Sequence, residues 1–108
     1  MHTHLFPTCC RNMFQITSGV RDYNQMLTIL EAGDFLFIDN SSSYYAAEKD
    51  HDQLHAFLVE ADLLNIHYLL YQPVTPYTEK LYASFHCLFV TRNDINYIYV
   101  ANYDIHSC

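Results

Sequence analysis

The chain has 108 residues, of which 51% are hydrophobic and 16% aromatic, and its formal net charge is −7 at pH 7. This length supports one hydrophobic core, and no stretch reaches the ~20 apolar residues of a transmembrane helix. The few Lys and Arg residues are scattered, which excludes the basic clusters that strong binding to nucleic acid requires. Because the N-terminus lacks the pattern of a signal peptide, we expect a cytoplasmic protein with reduced thiols.

The first predicted elements are a strand, a helix and a second strand. Residues 13–16 form a short apolar run, and Ser18 follows it as a candidate N-cap. Apolar residues then recur at helical spacing, at Val20, Tyr23, Met26, Leu27 and Leu30. Gly33 is a candidate C′ residue with positive φ. Residues 35–38 are apolar without alternation, which predicts a strand covered on both faces.

The alternation of helix and strand continues along the chain. Residues 50–65 place apolar side chains on one stripe and acidic side chains opposite, which predicts an amphipathic helix. Residues 66–72 form a third apolar run of strand length. The pair Thr75-Pro76 predicts the cap and first residue of a helix that ends near Phe85. Residues 87–90 predict a fourth strand.

The segment 93–104 is compatible with two structures. Its apolar and aromatic side chains alternate, which is typical of a strand. The pair Asn93-Asp94 is also typical of a helix cap. The β-branched and aromatic content favours the strand, and the sequence leaves both alternatives open.

Together these elements predict an α/β fold, a single-domain parallel sheet of four to five strands with helices on both faces. Residues 1–12 form a predicted flexible N-terminal extension, and residues 13–108 form the predicted domain.

The order of these segments resembles the TusB/DsrH branch of the DsrE-like sulfur-relay proteins. That branch has a serine after the first strand, Gly-Asp before a very apolar second strand, and an Ala-Ala pair in the following loop. The corresponding residues here are Ser18-Gly19, Gly33-Asp34, residues 35–38 and Tyr45-Ala46-Ala47. Residues 66–70 and 90–95 resemble later segments of the family, so the similarity covers residues 13–104.

The resemblance implies a flavodoxin-like layering and a role in sulfur transfer. Relatives that carry a persulfide hold it on a Cys after the third strand or within the first helix. In this chain residues 70–72, at the end of the third strand, contain no Cys. In the first helix the corresponding position lies seven residues before Gly33, and Met26 occupies it. A thioether cannot carry a persulfide, because the chemistry needs a thiolate.

The resemblance therefore implies a TusB-like structural subunit, without a catalytic Cys or a cofactor, assembled with TusC-like and TusD-like subunits. Such a complex relays sulfur from a TusA-like donor to a TusE-like acceptor, toward 2-thiolation of the tRNA wobble uridine.

Two groups of side chains are candidates for chemistry apart from the resemblance. Cys87 follows His86, and a neighbouring imidazolium lowers the pKa of a thiol. Consecutive strand residues point to opposite faces, and Cys is commonly buried, so a structural thiol is the favoured interpretation. His51 and His55 are four residues apart and could share a metal ion. Because a tetrahedral site needs further ligands, a solvated helix face is favoured.

The ten tyrosines exceed what a core of this size needs. We expect a protein partner to cover the tyrosines outside the helix and strand stripes, since Tyr is enriched in interfaces. The expected interface residues are Tyr44, Tyr45, Tyr97, Tyr99 and Tyr103. The sequence thus predicts an oligomer that binds neither membranes nor, directly, nucleic acid. The alternative to a sulfur-relay subunit is an acidic, Tyr-rich binding or inhibitor module that acts as a homo-oligomer.

Overall fold

A computed structural model describes residues 10–17 and 23–105. Its elements in chain order are β1 (Met13–Thr17), α1 (Tyr23–Ile29), β2 (Phe35–Asp39), α2 (Glu48–Leu63), β3 (His67–Pro73), α3 (Pro76–Leu81), β4 (His86–Arg92) and β5 (Ile95–Ala101). The predicted cap Ser18, the apolar residue Val20 and most of the predicted extension lie outside the described residues. None of the described helices has the length and apolar character of a membrane-crossing segment.

The five strands form one mixed sheet in the order β1-β2-β3-β5-β4. Strands β1, β2 and β3 are parallel neighbours, whereas β5 is antiparallel to both β3 and β4. The predicted α/β fold with a single sheet of up to five strands is therefore confirmed. The sheet differs from the predicted parallel sheet in one strand. Strand β5 runs opposite to the other four, which all have the same direction.

A tight turn produces the antiparallel strand. Asn93 and Asp94 have φ values of 51° and 64°, and two positive φ values are the geometry of a type I′ hairpin turn. So short a turn returns the chain beside the strand that it has just left, and β5 therefore pairs with β4 and separates it from β3. The segment 93–104 is thus a turn followed by a strand, and the preference for a strand is confirmed.

All three helices pack on one face of the sheet. Leu54 and Leu58 of α2 belong to the same buried cluster as Leu36, Leu70 and Val100 of the sheet, and side chains of α1 and α3 pack against it. The reason lies in the strand order, since β1, β2 and β3 follow one another without reversal. Right-handed crossovers that advance in one direction place their helices on the same side. Within the described residues, a single helical layer therefore replaces the expected helices on both faces.

The opposite face of the sheet, called the second face below, is covered by aromatic side chains and by chain ends. Tyr103, Ile105 and Cys10 pack there with buried residues of β2, β3 and β5. The Arg92 guanidinium carbon lies 5.2 Å from the ring centre of Tyr71 and 5.9 Å from that of Tyr99. Arg92 also donates to both tyrosine hydroxyls at 3.1 Å. One arginine thus closes over two rings that the helices leave uncovered.

Local capping determines the helix ends. The Thr75 hydroxyl accepts from the Thr78 N–H at 3.1 Å, and the Thr78 hydroxyl accepts from the Thr75 N–H at 2.9 Å. Thr75 is therefore the N-cap of α3, as predicted, although α3 ends earlier than expected. Because α1 ends at Ile29, the predicted C′ role of Gly33 is wrong. Gly33 lies in the turn before β2, and its predicted positive φ is confirmed at 91°.

Candidate functional site

Three segments that are distant in the sequence form an exposed aromatic surface at the carboxyl end of β2. The surface surrounds a cavity of about 320 Å³, and we call it the tyrosine surface; its residues are Ser41, Tyr44, Tyr45, Pro73, Ile95 and Tyr97. Tyr45 is 93% exposed and Tyr44 is 50% exposed. Their rings meet edge to face with centroids 4.9 Å apart. Exposed aromatic rings grouped with other apolar side chains are typical of an interaction site.

The loop that carries these two tyrosines is anchored to the sheet at its base. The Asn40 N–H donates to the Tyr71 carbonyl at 2.8 Å, and the Asn40 amide nitrogen donates to the Gln72 side-chain oxygen at 3.0 Å. The Ser41 N–H donates to the Asp39 carboxylate at 3.1 Å. Because these bonds fix the start of the loop, less conformational freedom is lost when a partner binds.

A second cavity, of about 240 Å³, also has Tyr45 in its wall. Ser43 and the first turn of α2, with Asp50 and His51, contribute to the same wall. His51 is 4% exposed, and burial lowers the pKa of its imidazole against the opposing effect of the nearby carboxylates. The buried Ser43 hydroxyl has no hydrogen-bond partner among the described residues. This cavity therefore presents a neutral imidazole, a hydroxyl and a carboxylate.

The chain beside the tyrosine surface is acidic. Residues 39–52 contain four carboxylates and a single lysine, Lys49. Asp52 accepts a hydrogen bond from Tyr77, and this bond raises the pKa of Tyr77 to about 12. Glu48 and Asp50 are exposed and form no ion pair with a Lys or Arg in the described part of the chain. The start of α2 therefore presents a net negative charge to solvent.

The other predicted interface tyrosines are less exposed. Tyr97 is half-buried and stacks on a tyrosine of β3 with centroids 4.9 Å apart. Tyr99 is 7% exposed, and Tyr103 is half-buried near the end of β5. Tyr97, Tyr99 and Tyr103 all pack on the second face, and of these three only Tyr97 also lines the cavity beside Tyr44 and Tyr45.

Cys87 lies apart from the tyrosine surface, in the wall of a groove of about 690 Å³ between α3 and β4. Its thiol donates to the carbonyls of Phe85 and Tyr82 at 3.2 and 3.4 Å. Burial raises the pKa of the thiol. His86, the preceding residue of β4, is exposed and also contributes to the wall of this groove. The thiol is therefore held protonated, whereas a nucleophile needs the thiolate.

His51 and His55, the two candidate metal ligands, contact different aromatic side chains. His51 faces the ring of Tyr77, with centroids 6.4 Å apart. His55 packs against Tyr82 and Phe85, at 5.7 and 5.5 Å. No group of three or more His, Cys, Asp or Glu side chains able to hold a metal occurs in residues 10–17 and 23–105. Both histidines thus pack against aromatic rings.

Two apolar residues of the tyrosine surface are not among the individual interface residues expected from the sequence, although the segment 93–103 was expected to contribute to contacts. Pro73 ends β3, and Ile95 begins β5 directly after the hairpin turn. A signal for Ile95 is present, because a two-residue polar pair between alternating segments predicts a hairpin. Pro73 has no such signal, since its position depends on the strand order.

No protein-family model matches the chain, and comparison with curated proteins gives no significant match.

Proposed function

We propose that the chain is a non-catalytic subunit of a cytoplasmic, TusB-like sulfur-relay complex, and that it binds a partner protein through the tyrosine surface. Its partners in this proposal are TusC-like and TusD-like subunits, and the assembled complex supports 2-thiolation of the tRNA wobble uridine. The assignment to the sulfur relay comes from the resemblance in residues 13–104. The geometry supports the role in assembly.

The observation that carries the role in assembly is the exposure of Tyr45 and Tyr44 on an anchored loop, beside Ile95 and Pro73. Tyrosine suits an interface because its ring contributes contact area while its hydroxyl keeps a hydrogen bond. Ile95 itself is 41% exposed. A partner that covered this surface would remove apolar area from water, and this burial favours association.

The state of Cys87 supports the non-catalytic part of the proposal. A persulfide carrier needs a thiolate. Cys87 has a raised pKa, and its thiol donates to two backbone carbonyls. Cys10, the other cysteine of the described residues, packs against the second face of the sheet.

Co-expression with TusC-like and TusD-like proteins, followed by native mass spectrometry, tests the proposal. We expect a complex that contains all three chains. The double substitution Tyr44→Ser with Tyr45→Ser should weaken it at least tenfold, a loss of about 1.4 kcal/mol or more. Leu63→Ser is the matched control, because Leu63 is 71% exposed at the far end of α2. A complex that the double variant forms as tightly as the wild type would contradict the role of the tyrosine surface.

A second candidate function, a homo-oligomeric binding module, is favoured by the edge strand β4. This strand pairs only with β5 among the described strands, and Phe89 at its centre is 56% exposed. Open edges with apolar side chains favour pairing between chains. Light scattering of the purified chain tests this candidate. A dimer that Phe89→Glu dissociates and the tyrosine double variant leaves intact would favour it over the first proposal.

A further inference from the structure

We infer that the segment bound by the tyrosine surface is basic, with an arginine of the partner protein against the exposed rings and facing the carboxylates at the start of α2. This inference rests on the proposed function and specifies the chemistry of the partner.

Tyr45 links the aromatic and acidic parts of the site. It lines the cavity of the tyrosine surface and also the second cavity, which has Asp50 in its wall. With 93% exposure, its ring is open to a ligand. A cation placed against this ring is attracted by the negative face of the π system. On the side of the second cavity the same cation would face the Asp50 carboxylate.

The negative charge around the site favours a positively charged partner segment. Glu48 and Asp50 are exposed without an ion pair among the described residues, and Lys49 is the only Lys or Arg between residues 39 and 52. Arg92, the cross-strand neighbour of Ile95, bonds to Tyr71 and Tyr99 instead. The amino end of α2 offsets part of this negative charge, since the helix dipole is positive there. The excess of carboxylates nevertheless remains, and an acidic segment would be repelled from this surface.

On the second face an arginine of the chain itself already binds two tyrosine side chains. Arg92 lies over the rings of Tyr71 and Tyr99 and donates to both hydroxyls. A planar guanidinium can stack on an aromatic ring and bond through several N–H groups at once, whereas an ammonium offers one compact charge. The rings of Tyr44 and Tyr45 have no such arginine over them in the described part of the chain. For this reason we choose arginine over lysine.

Titration of the 15N-labelled chain with Nα-acetyl-arginine amide tests the inference. Nα-acetyl-citrulline amide is the control ligand, because its neutral urea has nearly the shape of the guanidinium. We expect the arginine derivative to shift the amide signals of residues 41–50 and to bind about threefold or more tighter than the citrulline derivative, as a cation–π contact of modest strength predicts. Added salt should reduce the difference.

Two substitutions locate the effect. Tyr45→Ala and Asp50→Asn should each weaken binding of the arginine derivative about threefold. Glu60→Gln is the matched control, since it removes an exposed carboxylate from the distant half of the same helix. Equal binding of the two ligands, or equal losses in the Asp50 and Glu60 variants, would overturn the inference.

The failures of the two proposals are distinguishable. If the three-chain complex forms through the tyrosine surface but arginine and citrulline derivatives bind equally, only the basic character of the partner is refuted. If the arginine derivative binds selectively but no complex forms with TusC-like and TusD-like chains, the sulfur-relay proposal is refuted and the cation site stands.

Discussion

The side-chain oxygen of Asn102 accepts a hydrogen bond from the backbone N–H of Tyr68 at 3.0 Å. The amide nitrogen of Asn102 donates to the Ile66 carbonyl at 2.8 Å and to the Asp62 carboxylate at 3.1 Å. The backbone pairing of β3 with β5 ends one residue earlier, at Ala101. One side chain therefore continues this ladder and ties the end of β5 to the connection between α2 and β3.

Replacement of that side chain should destabilise the fold. We expect Asn102→Ala to lower the free energy of unfolding by about 2 kcal/mol, because the Tyr68 N–H and the Ile66 carbonyl lose their partners. Urea unfolding followed by circular dichroism measures the change. Asn24→Ala, at an exposed position of α1, should change stability by about 0.5 kcal/mol or less. Equal effects of the two substitutions would refute the role of Asn102.

His51 should make the stability depend on pH. Burial lowers its pKa in the folded chain, whereas an unfolded histidine titrates near 6.5. As the pH falls through 6.5, His51 binds a proton in the unfolded chain before it does so in the folded chain. The free energy of unfolding therefore decreases as the pH falls from 6.5 toward the folded pKa. The contribution of neutral His51 to stability is complete only above pH 6.5. Urea unfolding at about pH 7.5 and about pH 5.5 measures this loss. His51→Gln should lose less stability over the interval than wild type, and equal losses in the two proteins would contradict the role of His51.

Cys87 should be a slow and dispensable thiol. Since burial raises its pKa, we expect iodoacetamide to alkylate Cys87 more slowly in the folded chain than in urea, as measured by peptide mass mapping. Cys87→Ala should cost about 1 kcal/mol of stability through lost packing, and should leave sulfur transfer by an assembled complex intact. A persulfide detected on Cys87 after incubation with a cysteine desulfurase would contradict this assignment.

Gly33 should tolerate asparagine better than alanine. A Cβ at this position would meet the Arg11 Cβ at 3.7 Å, an ordinary contact, so space does not limit the substitution. Backbone strain does, because φ is 91°. We expect Gly33→Ala to cost about 1 kcal/mol and Gly33→Asn to cost less, since asparagine adopts positive φ more readily. Thermal or urea unfolding of both variants decides the order, and a smaller cost for alanine would refute the strain.

Arg92→Lys should lower the urea midpoint. An ammonium cannot bond both tyrosine hydroxyls in the geometry of the guanidinium, so the rings of Tyr71 and Tyr99 would lose their shared donor. Arg11→Lys is the matched control, because Arg11 forms an ion pair with Glu31 in which both side chains are more than half exposed. Such surface pairs contribute little. A lysine at position 92 that leaves the midpoint unchanged would show that Arg92 does not stabilise the second face.

The elements of the fold were predictable because their signals are local. The stripe of α2, the cap at Thr75 and the positive φ of Gly33 each depend on a few neighbouring residues. The placement of β5 between β3 and β4 depends instead on which strands are neighbours in space, and no short sequence pattern encodes this. The single helical layer has the same origin, since it follows from a strand order that does not reverse.

The tyrosine surface was predictable only in part. Tyrosine count and loop position identified Tyr44 and Tyr45, which are exposed. The same count included Tyr99, which is buried beneath Arg92 and cross-strand neighbours. Whether a strand tyrosine faces solvent depends on what covers that face of the sheet. Here Arg92, Cys10, Tyr103 and Ile105 cover it, and no helix of the described residues does.

The unreversed order of β1, β2 and β3 has a consequence for the carboxyl ends of these strands. In open α/β sheets, small ligands bind in the crevice that opens where neighbouring crossovers depart to opposite faces. The crossovers through α1 and α2 lie on the same face here. In the described part of the chain the connections therefore do not diverge at the carboxyl end of β2, and no such crevice forms between them. The 41–47 loop thereby lies at the carboxyl end of β2 and presents the exposed rings of Tyr44 and Tyr45 to a protein partner there.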